Sequence, residues 1–393
     1  MSRYVVFLLV LLVIAAVLRI DFFFTVAYLL FGLFVLGRLW VRRSLDGLKL
    51  SRAYTNRAFS GDDVTVRVTL HNTSRLPAPW VQAHESLPVE LIAPPFHREV
   101  FSLAAGEQRY FEYTLHCRRR GVYLVGPLQA RGGDLFGLEP ARQTELAAES
   151  MVVYPQIVPL PRLSVPTHSP LAALPAATPL FEDPARVSGV REYQRGDSPR
   201  RIHWTATATA GRLLVKQYQP AIARETLLCL DLCAEAYAPR RRFEATELAV
   251  VVAASLANHI IVRERLPVGL TTEAADFPSG QPAPYFLPAR RERAHLMNVL
   301  ELLARVQPAA AQPLAERLRQ LPGRVAWGTT LIAITGDASP DLFDALAALR
   351  RAGVVVALVQ VLAAPRPEQV ARAAVLGVPL RQVWREQDLE GWH

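Results

Sequence analysis

The residues richest in chemistry lie between Arg186 and Tyr218, where Arg186, Arg191, Arg195, Arg200, Arg201, Arg212 and Lys216 surround Asp197, His203 and Trp204. Guanidinium groups hold carboxylates or phosphates in forked geometry, and an indole can stack on one of them. Two readings follow. Either Arg191, Arg195, Arg200 and Arg201 meet acidic groups of a partner with Trp204 beside them, or Glu192 and Asp197 pair with the arginines internally. Asp231 and Asp337 each end an apolar run, and in open α/β sheets ligands gather beyond such strand ends. His203 has Asp197 close in sequence, but no motif sets a nucleophile beside it. There is no GxxxxGK[ST] loop, no HExxH and no GxSxG elbow, so no catalytic residue is assigned and the chain is not expected to be an enzyme.

These side chains need elements to position them. Gly196-Asp197 marks a turn, Asp197 or Ser198 can cap a helix, Pro199 suits its first position, and Gly211 suits a left-handed C-terminal cap. The spacing predicts a helix over Pro199–Ala210, about three turns. Val190–Gln194 before it is extended, and Leu213–Tyr218 after it alternates as a strand. Downstream, apolar runs at Thr226–Asp231, Val268–Thr272, Thr330–Thr335 and Val354–Leu362 read as strands. Helical patterns at Phe243–Arg263, Arg291–Val306 and Leu342–Arg351 separate them, the first read as long and amphipathic. Such βα units predict a doubly wound parallel sheet covered on both faces, an α/β domain over residues 221–393.

The N-terminal half reads differently. Tyr4–Leu18 and Phe22–Gly37 are apolar, each near the short limit of a spanning helix, so residues 1–45 are expected to form a transmembrane helical hairpin. Arg38, Arg42, Arg43, Lys49, Arg52 and Arg57 follow, which places the C-terminal bulk in the cytoplasm by the positive-inside bias. Val64–Leu70 and Tyr110–Leu115 alternate, and Val122–Leu128 follows a turn, so residues 46–155 predict an all-β, sandwich-like domain. Seven prolines between Pro155 and Pro179 read as a stiff linker over 156–185, leading into the segment 186–220.

Charge locates two features. The formal net charge is +9; residues 1–60 carry +6 of it and residues 181–220 the other +3. Neutral balance elsewhere argues against nucleic acid as partner. Cys117, Cys229 and Cys233 lack zinc-ligand spacing, and their odd number and wide spread argue against a disulfide framework.

The segment resembles the bacterial domain of unknown function 58. Its Tyr-x-x-Gly-Asp-x-x-Arg-x-Ile-x-Trp signature is matched by Tyr193, Gly196, Asp197, Arg200, Ile202 and Trp204, followed by Gly211, Leu213 and Val215. Arg120-Gly121-Val122-Tyr123, Asp134-Leu135-Phe136-Gly137-Leu138, Val153-Tyr154-Pro155 and the two N-terminal runs are similar to that family too. The resemblance implies a von Willebrand factor A-like domain in a multi-pass bacterial inner-membrane protein. It further implies a MoxR-type AAA+ ATPase as partner, often with transglutaminase-like proteins nearby, and no established reaction. Thr205 and Thr209 stand where the family carries basic residues. An A-type domain holds a divalent ion with Asp-x-Ser-x-Ser, whereas this chain has Asp231-Leu232-Cys233-Ala234-Glu235. Cys233 is a poor magnesium ligand and Glu235 reaches further than serine, so Asp231 and Asp337 read as a degenerate metal site with no cofactor expected. The expected function is a membrane-tethered protein-interaction adaptor; the alternative is a metal-dependent ligand-binding or enzymatic domain using Mg2+ at Asp231 and Asp337.

Overall fold

The computed structural model describes residues 3–18, 21–92, 94–133, 142–161, 182–194, 197–220, 225–277, 279–321, 323 and 325–391. The chain divides into two compact units, Met1–Gln156 with Leu303–Arg305, and Ile157–Leu302 with Val306–His393.

The first unit begins with helices α1 (Arg3–Leu18) and α2 (Asp21–Asp46). α2 is 26 residues long, enough in length and composition to cross a membrane; α1 has 16 residues. Ten strands follow: β1 Leu48–Ala53, β2 Arg57–Phe59, β3 Asp63–Asn72, β4 Ala78–Ser86, β5 Phe96–Leu103, β6 Gln108–His116, β7 Gly121–Val125, β8 Leu128–Gly132, β9 Arg142–Leu146 and β10 Glu149–Tyr154. They form three small sheets in the orders β1-β3-β6, β2-β10-β7 and β5-β4-β8-β9. Alternation explains β3: Val64, Val66, Val68 and Leu70 point into a core shared with Val81, Leu103, Leu115, Leu128 and Met151, while the residues between them face outward. The expected single strand Val122–Leu128 is instead two. Gly126 adopts a φ of +106° and Pro127 has no N–H to give, so the chain leaves β7, which pairs with β10, and enters β8, which pairs with β4. Inside this unit, Arg52 Nε donates to Glu85 Oε1 at 2.5 Å with both side chains fully buried, and the Tyr113 hydroxyl donates to Glu85 Oε2 at 2.7 Å.

The second unit holds β11 (Glu182–Glu192), α3 (Trp204–Ala210), β12 (Leu214–Pro220), β13 (Thr226–Asp231), α4 (Arg242–Asn258), β14 (Val268–Asp276), β15 (Pro282–Arg290), α5 (Arg293–Arg305), β16 (Val306–Gln307) and α6 (Leu314–Arg319). β17 (Thr330–Thr335), α7 (Pro340–Arg351), β18 (Val355–Val361), α8 (Pro367–Leu376), β19 (Leu380–Val383) and α9 (Gln387–Glu390) complete it. The main sheet runs β15-β14-β13-β17-β18-β19, parallel except for the edge strand β15, with β16 paired antiparallel to β14. This is an α/β sheet, mixed rather than purely parallel. The sequence reading missed β15 because its residues, alternately exposed and half-buried, carry Pro282, Pro284 and Pro288, a composition suited to an edge.

β13 and β17 are buried at every position, as central strands of a covered sheet must be. Leu227, Cys229, Leu331, Ala333, Val356 and Leu358 face a cluster built with α6 and α7. α4 packs on β13, β17 and β18. It is not the amphipathic helix expected: residues Ala245–Ala257 are buried almost without interruption, and a π-helical turn, His259–Arg263, ends it. Its length and hydropathy would suit a membrane span, yet a helix apolar all round is equally the core of a large α/β layer.

The expected linker is shorter than proposed. Val158 and Leu160 are buried, and the Val158 N–H donates to Ser255 Oγ on α4 at 2.9 Å. β11 already begins at Glu182, and residues 162–181 lie outside the described residues.

Candidate functional site

β11 and β12 form a two-stranded antiparallel ribbon, joined to no other sheet among the described residues. Between them the single expected helix is split. Pro199–Arg201 makes one 3-10 turn, Ile202 leaves the helix to bridge Val215, and the His203 N–H donates to the Leu214 carbonyl. α3 then starts at Trp204. The residue that caps it is His203, whose Nδ1 accepts from the Ala206 N–H at 3.2 Å, so this imidazole has a structural use. Gly211 closes α3 with φ +65°, the left-handed conformation expected of it.

Arg191 lies on the ribbon and grips Asp197 with both terminal nitrogens, at 2.7 and 2.6 Å. Asp197 also accepts the Gln194 N–H at 2.8 Å, closing the turn. The Arg191 fork and this N–H hold the Asp197 carboxyl below its usual range. Arg212 pairs with Glu192. Arg191 is thus a brace of the turn, which corrects its assignment to a partner face. Arg201 is exposed on the 3-10 turn. Arg195, Gly196 and the Arg200 side chain lie outside the described residues. Tyr193 continues the ribbon past β11 through its N–H to the Leu213 carbonyl at 3.0 Å.

Trp204 decides what this segment offers. Its side chain is 67% exposed, and α3 has no buried residue at all. Val190 and Leu213 on the ribbon are exposed too, while Leu214 and Val215 are buried and hold β12 down. Ala206 and Thr207 are half-buried, and the leading indole of this short helix faces outward.

At the carboxyl ends of the strands, Asp231 is buried and fully engaged. Oδ1 accepts the Cys233 N–H at 3.1 Å, Oδ2 accepts the Thr335 hydroxyl at 2.9 Å, and its backbone carbonyl accepts the Tyr237 hydroxyl at 2.5 Å. Arg317 from α6 reaches in, with Nη2 3.9 Å from Oδ1 and donating to the Leu230 carbonyl at 3.0 Å. Burial raises the Asp231 carboxyl above its ordinary range, against the pull of Arg317. Gly336 permits the close approach: a Cβ there would lie 2.4 Å from the Tyr237 ring and 2.5 Å from the Ala236 carbonyl. Asp337 turns elsewhere, accepting from Gln369 Nε2 at 3.0 Å and from Arg366 Nη2 at 3.2 Å. Cys233 donates its thiol to the Ala311 carbonyl at 3.2 Å.

These residues do not fit a divalent ion. The carboxylate oxygens of Asp231 are taken by protein donors, a guanidinium supplies the neighbouring positive charge, and Asp337 is committed to α8 and its approach. No group of three His, Cys, Asp or Glu side chains among the described residues is placed to hold a metal. Asp231 and Asp337 thus engage different partners. A cavity of about 510 Å3 that the sequence reading missed opens beside the ends of β18 and β19, lined by Arg241, Glu244, Leu362, Trp384, Arg385 and Glu386. Its charges balance and come from three distant stretches, so no local motif announces it.

Residues 189–371 match the family model described as "Protein of unknown function DUF58". The matched span opens inside β11 and closes inside α8, so the ribbon from residue 189 on, α3 and the Asp231 strand end all lie within it. No curated protein matches the chain significantly. Among solved structures, the SpRpn10 VWA domain is similar at 13% identity and a TM-score of 0.30, covering 42% of this chain and 92% of its own. Proximal thread matrix protein 1 from the mussel byssus is similar at 9% identity and a TM-score of 0.32, covering 43% and 45%. The CARDB domain of a Pyrococcus furiosus protein, in complex with di-metal ions, is similar at 12% identity and a TM-score of 0.20, covering 27% and 91%. Scores this low carry no functional argument.

Proposed function

We propose that the chain is a membrane-tethered protein-interaction adaptor rather than an enzyme. α1 and α2 anchor it as a multi-pass protein of the bacterial inner membrane, with the rest on the cytoplasmic side. The contact face is the exposed side of α3 and the ribbon, with Trp204 as its anchor and Arg201 beside it. The partner is a MoxR-type AAA+ ATPase, as the resemblance to the DUF58 family implies, and neither nucleic acid nor a metal cofactor takes part. The A-type character of the α/β unit belongs to the same reading. The observation that carries it is the exposure of Trp204 on a helix with no fully buried residue. Burying such an indole in a partner's pocket is worth 2 kcal/mol or more, roughly a thirtyfold change in affinity.

The test is capture of the ATPase by the full-length chain in mild detergent, compared with Trp204→Ala and Arg201→Glu. Because Trp204 contributes nothing to a core, Trp204→Ala should fold normally and lose the ATPase. Retention of the ATPase by both variants, at unchanged salt dependence, would refute the contact face.

A further inference from the structure

We propose that the end of the β-rich unit from which α2 emerges lies in the lipid headgroup layer, where Arg38, Arg42, Arg43 and Arg75 engage anionic headgroups. This rests on the reading that α2 crosses the bilayer and extends it to a surface of the folded unit.

The apolar run of α2 ends at Gly37, and the helix continues without a break to Asp46. Its last turn is part of the β-rich unit: Ser44 and Leu45 are buried, and Leu45 belongs to the core with Val81 and Leu128. The unit is therefore built onto the helix end, not hung from it by a free tether. The loop between β3 and β4 climbs back along the helix. At its start, the Thr73 N–H and hydroxyl both donate to the Gly47 carbonyl, at 2.8 and 2.7 Å. At its finish, the Pro77 carbonyl accepts the Trp40 indole N–H at 2.9 Å. Gly47 and Trp40 lie seven residues apart, so the loop rises about 10 Å toward the apolar run. Arg75 sits on that rise, exposed.

Arg38 and Arg42 share one helix face and Arg43 lies three residues on from Trp40, on the loop's side; all three are exposed. Asp46 is the acidic residue of this helix end. Arg38, Arg42, Arg43 and Arg75 thus stand with Asp46 next to a half-exposed tryptophan with its N–H satisfied. Trp at the boundary and Arg just beyond it is the arrangement an anionic membrane surface attracts. Arg75 joins it only through the fold, since 32 residues separate it from Arg43.

The experiment uses the full chain in nanodiscs of phosphatidylcholine with or without phosphatidylglycerol. A fluorophore is attached at Pro77→Cys, which keeps all four arginines, or at Arg118→Cys beyond the other end of β3, ~30 Å away along the strand. The native cysteines are buried and should stay unlabelled. A headgroup-attached spin label should quench position 77 and spare position 118, with quenching at 77 rising when phosphatidylglycerol is present. Arg43→Glu with Arg75→Glu should abolish that rise. Equal quenching at both positions overturns the orientation, and quenching indifferent to phosphatidylglycerol or to the double variant overturns the headgroup contact. Release of the chain from native membranes by alkaline wash overturns the spanning reading beneath both.

Discussion

Arg317→Met is the most informative single change. Asp231 is 3% exposed and the Arg317 side chain 11%, so removing the guanidinium leaves a carboxylate in the sheet layer without its counter-charge. Breaking a buried pair in this way costs about 3–5 kcal/mol. At 1.4 kcal/mol per factor of ten, local opening of the α/β unit should rise roughly 10²- to 10⁴-fold. Cys229, at the middle of β13 and fully buried, reports that opening, because burial pushes its thiol up to about 12 and it reacts only when released. Cys117, in the β-rich unit and pushed up to about 11, serves as the internal reference. The assay is the alkylation rate of each cysteine in the full-length protein, resolved by mass spectrometry. Asp231 adds a pH signature. Its folded carboxyl is raised, so it subtracts stability at neutral pH, and the penalty fades as pH falls through the raised value toward the unfolded one. Losing Arg317 raises the carboxyl further, so the variant-to-parent ratio for Cys229 should be largest near pH 8 and shrink on acidification. Asp231→Asn combined with Arg317→Met should recover most of the loss. A ratio below about threefold at pH 8, under roughly 0.7 kcal/mol, would refute the view that this arginine balances the strand-end charge.

Three further outcomes can be checked in the same protein. Glu85→Ala takes the close carboxylate from buried Arg52, leaving Glu149 3.9 Å away, and should cost about 3–5 kcal/mol in the β-rich unit, accelerating Cys117 labelling while Cys229 stays at its parental rate. Asp197 is held below its usual carboxyl range, so the order it gives the β11–β12 turn is complete above the ordinary value near ~4 and lost as pH falls through the depressed one. Hydrogen-exchange protection of the ribbon should therefore be flat from neutral pH to about 5, and Asp197→Asn should lower it at neutral pH. Trp204→Ala should change neither cysteine's labelling rate, staying within about 0.5 kcal/mol of the parent, as expected of a residue outside any core.

Strong local signals set much of the architecture. The runs Thr226–Asp231 and Thr330–Thr335 are strands at those bounds, because an unbroken apolar run beside helical periods has few other solutions. Gly211 caps α3 in the left-handed conformation because a residue without Cβ reaches it at no steric cost. The match of residues 189–371 to DUF58 agrees with the signature at Tyr193, Asp197, Ile202 and Trp204. Where periodicity was weak or long-range pairing competed, sequence reasoning fell short. Ile202 breaks the expected helix because its backbone is drawn into a bridge with Val215, a partner no local propensity reveals. α4 looked amphipathic, yet the sheet and its neighbours bury it on all sides.

The sequence by itself determined that acids and arginines would crowd the segment 186–220, that Asp231 would end a strand and that Asp337 would follow one closely, since residue types and run ends are local properties. Only the tertiary structure decided how those charges are spent. It turned Arg191 inward onto Asp197, left Trp204 in solvent, brought Arg317 from 86 positions away to Asp231, and sent Asp337 to Arg366 and Gln369. Charges pair over a few ångströms, and which groups lie that close is a property of the packed chain rather than of their order along it.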